Sequence, residues 1–125
     1  MKSILIEISP GELIDRITIL ELKIQKQTDP VKRQGVAEEL AALMQVQDRL
    51  VPGSAELTVF RTELAAVNQA LWKVEDELRV CEKRGEFGCR FIELARSRRV
   101  KELIRRQTLR STGHCFGIDR RFRAR

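Results

Sequence analysis

Residues 54–84 read SAELTVFRTELAAVNQALWKVEDELRVCEKR, and their apolar pattern is the clearest indication of the architecture of the chain. Its apolar residues recur at alternating spacings of three and four, at Leu57, Phe60, Leu64, Val67, Leu71, Val74, Leu78 and Cys81. An unbroken repeat of this kind is typical of coiled-coil-like packing against an antiparallel neighbour. Ser54 is a helix-capping residue, and Gly85 interrupts the repeat. The pattern therefore predicts a helix from 54 to about 84, roughly 45 Å long at about 1.5 Å per residue.

Two shorter helices are predicted before this one. Ser9-Pro10-Gly11-Glu12 is a capping box with proline in the first helical position, and the helix after it runs to about Lys26. Its apolar residues occupy several rows, which indicates more than one neighbour. Asp29-Pro30 caps the next helix, and Pro52-Gly53 ends it.

The two ends of the chain are less regular. Ile4, Ile6 and Ile8 alternate with other residues, which predicts a short β-strand that has to pair with a second copy or lie on the helices. A fourth helix starts near residues 87–95, its period breaks at residues 97–99, and residues 111–125 show no period at all. The predicted fold is all-α: an antiparallel bundle of three to four helices with coiled-coil-like packing and a short N-terminal β-strand.

Composition sets the class of protein. The chain has 125 residues, of which 42% are hydrophobic and 34% charged, so one domain can bury a core without disulfides or metals. No apolar run approaches the roughly 18 residues of a membrane span, and the N-terminus lacks the features of a signal peptide. Three cysteines make an odd count, which favours a reduced, cytoplasmic chain.

Charge is concentrated at the C-terminus. Residues 96–125 contain 11 Lys+Arg and 2 Asp+Glu, whereas residues 1–95 contain 13 and 16. We therefore divide the chain into a helical domain with the N-terminal strand (1–96) and a basic, Arg-rich extension that is partly helical and then irregular (97–125). Such an extension is typical of contacts with nucleic acid or another polyanion, although many charge blocks are only solvated.

Two groups of polar residues are candidates for a binding face. Glu12, Asp15 and Arg16 lie within one turn, where paired carboxylates can do acid–base work, or can simply cap the helix and form an ion pair. Asn68, Trp72 and Asp76 follow at spacings of four, so they share a helix face that can line a cleft or border the core. No catalytic residue is assigned.

The basic extension supplies a third group. Its candidate polyanion contacts are Arg98, Arg99, Arg105, Arg106, Arg120 and Arg121. Phe116 and Phe122 lie among the last arginines, and arginine with interleaved aromatic residues suits single-stranded nucleic acid. A solvated, functionless C-terminus is the alternative.

No metal or cofactor is predicted. Cys81, Cys89, His114 and Cys115 are the available soft ligands, but their spacing fits no zinc motif, and the adjacent His114 and Cys115 have poor geometry for two ligands.

Three stretches carry a resemblance to a known family: residues 9–23 (SPGELIDRITILELK), 67–76 (VNQALWKVED) and 91–97 (FIELARS). They resemble a small family of uncharacterised bacterial helical proteins over about residues 5–97. The resemblance implies an all-helical cytoplasmic protein with an extended N-terminal piece, and it implies no activity. The sequence departs from this pattern after Ser97, where the charge also rises. One hypothesis is therefore a divergent or frameshifted C-terminus.

The sequence favours a non-enzymatic helical interaction module that forms a homo-oligomer, with a dimer expected, or that binds a protein partner. The alternative is nucleic-acid or polyanion binding through the basic extension. Residues 13–17 (LIDRI) are also similar to the first helix of the helical chorismate mutases, in which basic residues clamp a dicarboxylate, but the later basic pattern of those enzymes is absent. A small all-α enzyme is therefore the least favoured interpretation.

Overall fold

The computed structural model describes residues 4–51 and 53–115, with side chains through residue 110. Its four helices are α1 (Pro10–Lys26), α2 (Pro30–Leu50), α3 (Ala55–Arg84) and α4 (Cys89–Cys115). Within the described ranges the regular structure is entirely helical. The prediction of an all-helical protein is confirmed.

Local capping groups fix where the helices begin and end. Side-chain oxygens of Ser9, Asp29 and Ser54 accept hydrogen bonds from first-turn amides of α1, α2 and α3, at 3.0–3.1 Å. Each bond satisfies a backbone donor that has no partner inside the helix. Gly85 ends α3 with φ of +69°, a left-handed conformation that glycine adopts without steric cost.

The predicted N-terminal strand is wrong. Residues 4–9 are irregular, and Ile4, Leu5 and Ile6 are 85%, 89% and 63% exposed. A strand needs a partner for its backbone N–H and C=O groups, and no second strand occurs in the described part of the chain. Only Ile8 of this segment packs on the core.

The main core lies at one end of the bundle. It consists of Leu13, Ile14, Ile17, Val51, Leu57, Phe60 and Leu64, with Leu109 of α4 packed against it. The core thus includes residues of all four helices. Helices α1 and α3 run antiparallel, because Asp15 contacts Asn68 whereas Glu21, further along α1, contacts Arg61, which lies earlier on α3. Helix α4 runs antiparallel to α3, with ion pairs joining Glu77 to Arg90 and Glu75 to Arg98. The backbone of α1 approaches all three other helices, as its several apolar rows predict.

The heptad row of α3 forms its buried face. Six of the eight positions are buried, and Val67 and Leu78 are half-buried. At the far end of the bundle, Val74 and Cys81 pack against Leu94 of α4 in a second, smaller core. The row therefore holds α3 against α1 near its start and against α4 along its length.

Helix α4 is longer than the sequence pattern indicates. It begins at Cys89, passes without interruption through residues 97–99 and ends at Cys115. Phe87 lies just before it, and its exposed ring meets that of Phe91 edge-on with centroids 5.2 Å apart. Among the described helices, none has a stretch long and apolar enough to cross a membrane.

Candidate functional site

A buried polar cluster joins α1, α3 and α4 around Asp15. The Nδ2 group of Asn68 donates hydrogen bonds to Asp15 Oδ1 at 2.9 Å and to Thr18 Oγ1 at 3.0 Å. The Thr18 hydroxyl donates to the backbone oxygen of Asp15 at 2.8 Å. These three side chains are buried between α1 and α3, and no buried side-chain nitrogen or oxygen in the described residues lacks a partner.

The helical repeat explains why these residues meet. Asp15 and Thr18 are one turn apart on α1, and each directly follows a core residue, Ile14 and Ile17 respectively. Asn68 lies four residues after Leu64 on α3, so it continues the buried face of that helix toward α1. The apolar contacts around the cluster therefore set the separation of the three polar groups.

Arg105 completes the cluster from α4. Its guanidinium forms an ion pair with Asp15 Oδ2, and its Nη1 donates to Glu102 Oε1 at 3.0 Å. The side chain of Asp15 is 7% exposed, and that of Arg105 is 22% exposed. Both carboxylate oxygens of Asp15 are thus engaged, one by an amide and the other by a cation.

The electrostatics of the cluster keep Arg105 charged. Burial alone disfavours the cation and lowers the pKa of Arg105, but the hydrogen bond and charge of Asp15, together with Glu102, raise that pKa above its ordinary value. A guanidinium that stays protonated cannot relay protons. The cluster can therefore clamp three helices together, but it offers no vacant base or acid.

A second polar cluster lies between α1, α2 and α3. Arg61 pairs with Glu21, donates to Gln47 Oε1 at 3.4 Å and lies 3.9 Å from Met44 Sδ. Glu21, Gln47 and Arg61 line a groove of about 530 Å³ that is open to solvent. The groove presents a guanidinium whose nearest carboxylate already neutralises it.

One protein family matches the chain over most of its length. A model described as a family of unknown function, DUF6165, matches residues 4–111. The chain belongs to this family. No curated protein and no solved structure matches it. The DUF6165 match runs past residue 97 to 111, so residues 98–111 belong to the family sequence rather than to a foreign terminus.

In this DUF6165 protein, the residues of the predicted binding face separate into two groups. Asp15 and Asn68 meet in the buried cluster. Glu12 and Arg16 are exposed on the first turns of α1, and Asp76 points outward in an ion pair with Arg79 at 2.6 Å. Trp72 is half-buried on α3, which is intermediate between the buried Asn68 and the exposed Asp76.

The predicted polyanion contacts also separate. Arg98, Arg105 and Arg106 are paired with Glu75, Asp15 and Glu102 respectively. Arg99 is exposed and forms no ion pair with any described residue. Arg120 and Arg121, like Phe116 and Phe122, lie outside the described residues.

Sequence reasoning missed the long-range partners in both clusters. Thr18, Glu102 and Arg61 were not singled out, because nothing local marks them. One signal was present: Gln47 occupies the fourth position of the apolar row of α2, where an amide is tolerated only with a polar partner.

The candidate metal ligands do not assemble within the described residues. No group of three or more His, Cys, Asp or Glu side chains there has the arrangement to hold a metal ion. Cys81 is buried in the second core and Cys89 is exposed. The side chains of His114 and Cys115 lie outside the described part of the chain.

Proposed function

We propose that this DUF6165 protein is a non-enzymatic helical module that self-associates through its N-terminal segment. The observation that carries the proposal is the exposure of three consecutive large aliphatic residues, Ile4, Leu5 and Ile6. Isolated exposed apolar side chains are ordinary, but a run of three on an irregular segment favours an interface.

The free energy available from this segment is substantial. Fully burying one large aliphatic side chain contributes about 1.5–3 kcal/mol. Ile4, Leu5 and Ile6 together expose enough aliphatic surface for the same segment of a second copy to cover. Contact between the two copies of this segment across a two-fold axis gives both chains identical contacts.

Helix α2 supports the proposal independently. Its apolar residues Val36, Leu40, Leu43, Met44 and Leu50 are all only partly buried, because its backbone approaches α1 alone among the described helices. A second copy that covers this row buries it further. Coiled-coil-like packing along α3, a bacterial source and a cytoplasmic location belong to the same proposal and stay predictions.

The test is molar mass in solution, by size exclusion with light scattering. We expect the unaltered protein to elute at twice its 14.4 kDa chain mass. Ile6→Lys should move the mass toward that of one chain at the same concentration, because a charge at the interface loses its hydration. Val31→Lys is the matched control, since Val31 is 81% exposed at the start of α2.

Two results contradict the proposal. One is a mass of a single chain for the unaltered protein at the highest concentration tested. The other is an equal loss of mass in Ile6→Lys and Val31→Lys, which indicates a general effect of added charge rather than an interface at residues 4–8.

Polyanion binding through residues 97–125 is the alternative, and the observation that favours it is the positive charge left exposed on α4. Chorismate-mutase-type activity is not part of the proposal. A clamp for a dicarboxylate needs cations that are free to bind it, whereas Arg105 is bound to Asp15 and Glu102. Arg16 is exposed on α1 and is not part of this buried cluster.

A further inference from the structure

The arginines of α4 fall into two classes. Four of them, Arg90, Arg98, Arg105 and Arg106, form ion pairs with carboxylates of this chain. Three others, Arg96, Arg99 and Arg110, are exposed and form no ion pair with a described residue. The chain thus neutralises four of these guanidinium groups with its own carboxylates and leaves three available.

The three available arginines lie on one face of α4. At about 100° per residue they fall within a sector of about 60°, and they extend over about 21 Å of helix. Leu94, buried in the second core, points about 160° away from Arg96 by the same count. The arginine face is therefore turned away from α3, toward solvent.

Aliphatic side chains share this face. Ile92, Val100 and Leu103 are 47%, 56% and 56% exposed. Ile92 and Leu103 lie within about 10° of the middle of the arginine sector, and Val100 lies about 70° from it, next to Arg96. A helix that inserts into a lipid surface separates its apolar side from its charged side. On α4 the arginines and the aliphatic residues alternate along one face. Inserting the aliphatic side chains into a lipid surface would therefore draw the charged guanidinium groups into it as well, which disfavours a lipid surface as the partner.

We propose that this face of α4, made of Arg96, Arg99, Arg110 and the exposed aliphatic residues between them, binds single-stranded nucleic acid. Guanidinium groups bind phosphate with two parallel hydrogen bonds. Unpaired bases expose flat apolar surfaces that duplex DNA keeps stacked inside, and aliphatic side chains beside the arginines can cover them. The body of the chain, with 13 Lys+Arg and 16 Asp+Glu in residues 1–95, does not compete for the strand.

This proposal does not rest on self-association, because it uses a face of α4, whereas self-association is assigned to the N-terminal segment. It also differs from a simple basic tail, since it assigns binding to three arginines on a folded helix. Arg98, Arg105 and Arg106, the neighbours expected from sequence to bind polyanions, are here committed to Glu75, Asp15 and Glu102.

The experiment is fluorescence anisotropy with a labelled 20-nucleotide oligothymidylate, on the full chain, between 50 and 200 mM salt. Each phosphate contact on a single strand contributes about −0.7 to the slope of log affinity against log salt. The three arginines therefore contribute about −2, which is about a 20-fold loss of affinity over this salt range.

The decisive variant is R96Q/R99Q/R110Q. We expect it to bind at least 10-fold more weakly at 50 mM salt and to make the salt slope shallower by about 2. The matched control is R33Q/R49Q/R84Q, which removes the same charge from exposed positions on α2 and α3. It should change the affinity by less than threefold. Circular dichroism of both variants shows whether the helices persist.

Several outcomes overturn the proposal. Equal losses in the two triple variants mean that net charge, not the α4 face, governs binding. Unchanged binding by R96Q/R99Q/R110Q, with loss on removal of residues 116–125, moves the site to the tail. Binding to phosphatidylglycerol vesicles without binding to the oligonucleotide identifies a lipid surface, and equal affinity for a duplex of the same length removes the single-strand preference. Ile6→Lys should bind as the unaltered chain does, so self-association and nucleic-acid binding are tested separately.

Discussion

Replacing Asp15 with alanine tests whether the buried cluster holds α1, α3 and α4 together. The change removes the acceptor for Arg105 and for one hydrogen bond of Asn68. Arg105 keeps Glu102 at 3.0 Å, and Asn68 keeps Thr18 at 3.0 Å, so neither group loses every partner. What remains is a half-buried cation that has lost its most buried counter-charge.

The structure sets the expected magnitude. Removing one partner of a buried ion pair costs about 3–5 kcal/mol. Because Arg105 is 22% exposed and retains Glu102, water and that second carboxylate recover part of this cost, and we expect a loss of about 2–3 kcal/mol. For a domain of this size, that lowers the melting temperature by about 10 °C.

The assay is urea unfolding followed by circular dichroism at 222 nm. The matched control is Asp76→Ala, because the ion pair of Asp76 with Arg79 is exposed and lies within one helix turn. Such a pair contributes less than about 0.5 kcal/mol. A double-mutant cycle between Asp15→Ala and Arg105→Ala should give a coupling of about 1–2 kcal/mol.

The reasoning is refuted if Asp15→Ala and Asp76→Ala lose the same stability, or if the cycle gives a coupling near zero. Either result means that apolar packing alone positions α4 against α1 and that the polar cluster merely fits into the space left. An unchanged denaturant slope across the variants ensures that the comparison concerns the same folded state.

Three further predictions concern the caps and the charge of the cluster, each measured by urea unfolding. Ser9→Ala should lower the free energy of unfolding by about 1 kcal/mol, since it removes the oxygen that caps α1; no change argues that Pro10 alone fixes the start. Gly85→Ala should destabilise the protein by about 1 kcal/mol because Gly85 has a positive φ. Gly35→Ala, inside α2 with open space around it, should stabilise the protein by about 0.5–1 kcal/mol. Effects of the same sign contradict the assignment of Gly85 to a left-handed helix end and of Gly35 to a helix interior. The pKa of Arg105 is raised, so its contribution is present below its unfolded pKa and is lost only as pH rises through the higher folded value. Its coupling with Asp15 should therefore be constant from about pH 7 to 11. The coupling of a lysine in Arg105→Lys should weaken within this range, near the ordinary lysine pKa of about 10.4. A fall in the coupling of the arginine protein over the same range opposes the prediction.

Helix boundaries were predictable from sequence because the signals that set them are local. Ser9, Asp29 and Ser54 each bind an amide two or three residues ahead, so a short stretch of sequence contains both partners. The heptad row of α3 was predictable for a related reason: one periodic pattern decides which side of a helix is buried.

Contacts between distant residues were not predictable in the same way. Arg105 reaches Asp15 from 90 positions along the chain, and periodicity gives no sign of such a partner. Sequence therefore assigned Asp15 to a binding face and Arg105 to a polyanion surface, and the structure pairs them. The prediction of an N-terminal strand failed because residues 4–8 have the alternation of a strand, whereas the described part of the chain contains no second strand for them to pair with.

The peripheral position of α2 has a consequence for how the molecule opens. Its backbone approaches α1 and no other described helix, and Gln47 is its single buried side chain. Opening α2 therefore breaks fewer contacts than opening α1, whose backbone approaches three helices. Amide hydrogens of α2 should exchange with solvent through a partial unfolding that leaves α1, α3 and α4 assembled. The bundle then behaves as a cooperative three-helix unit with one detachable helix, and a protease added to the native protein should cut first within residues 30–50.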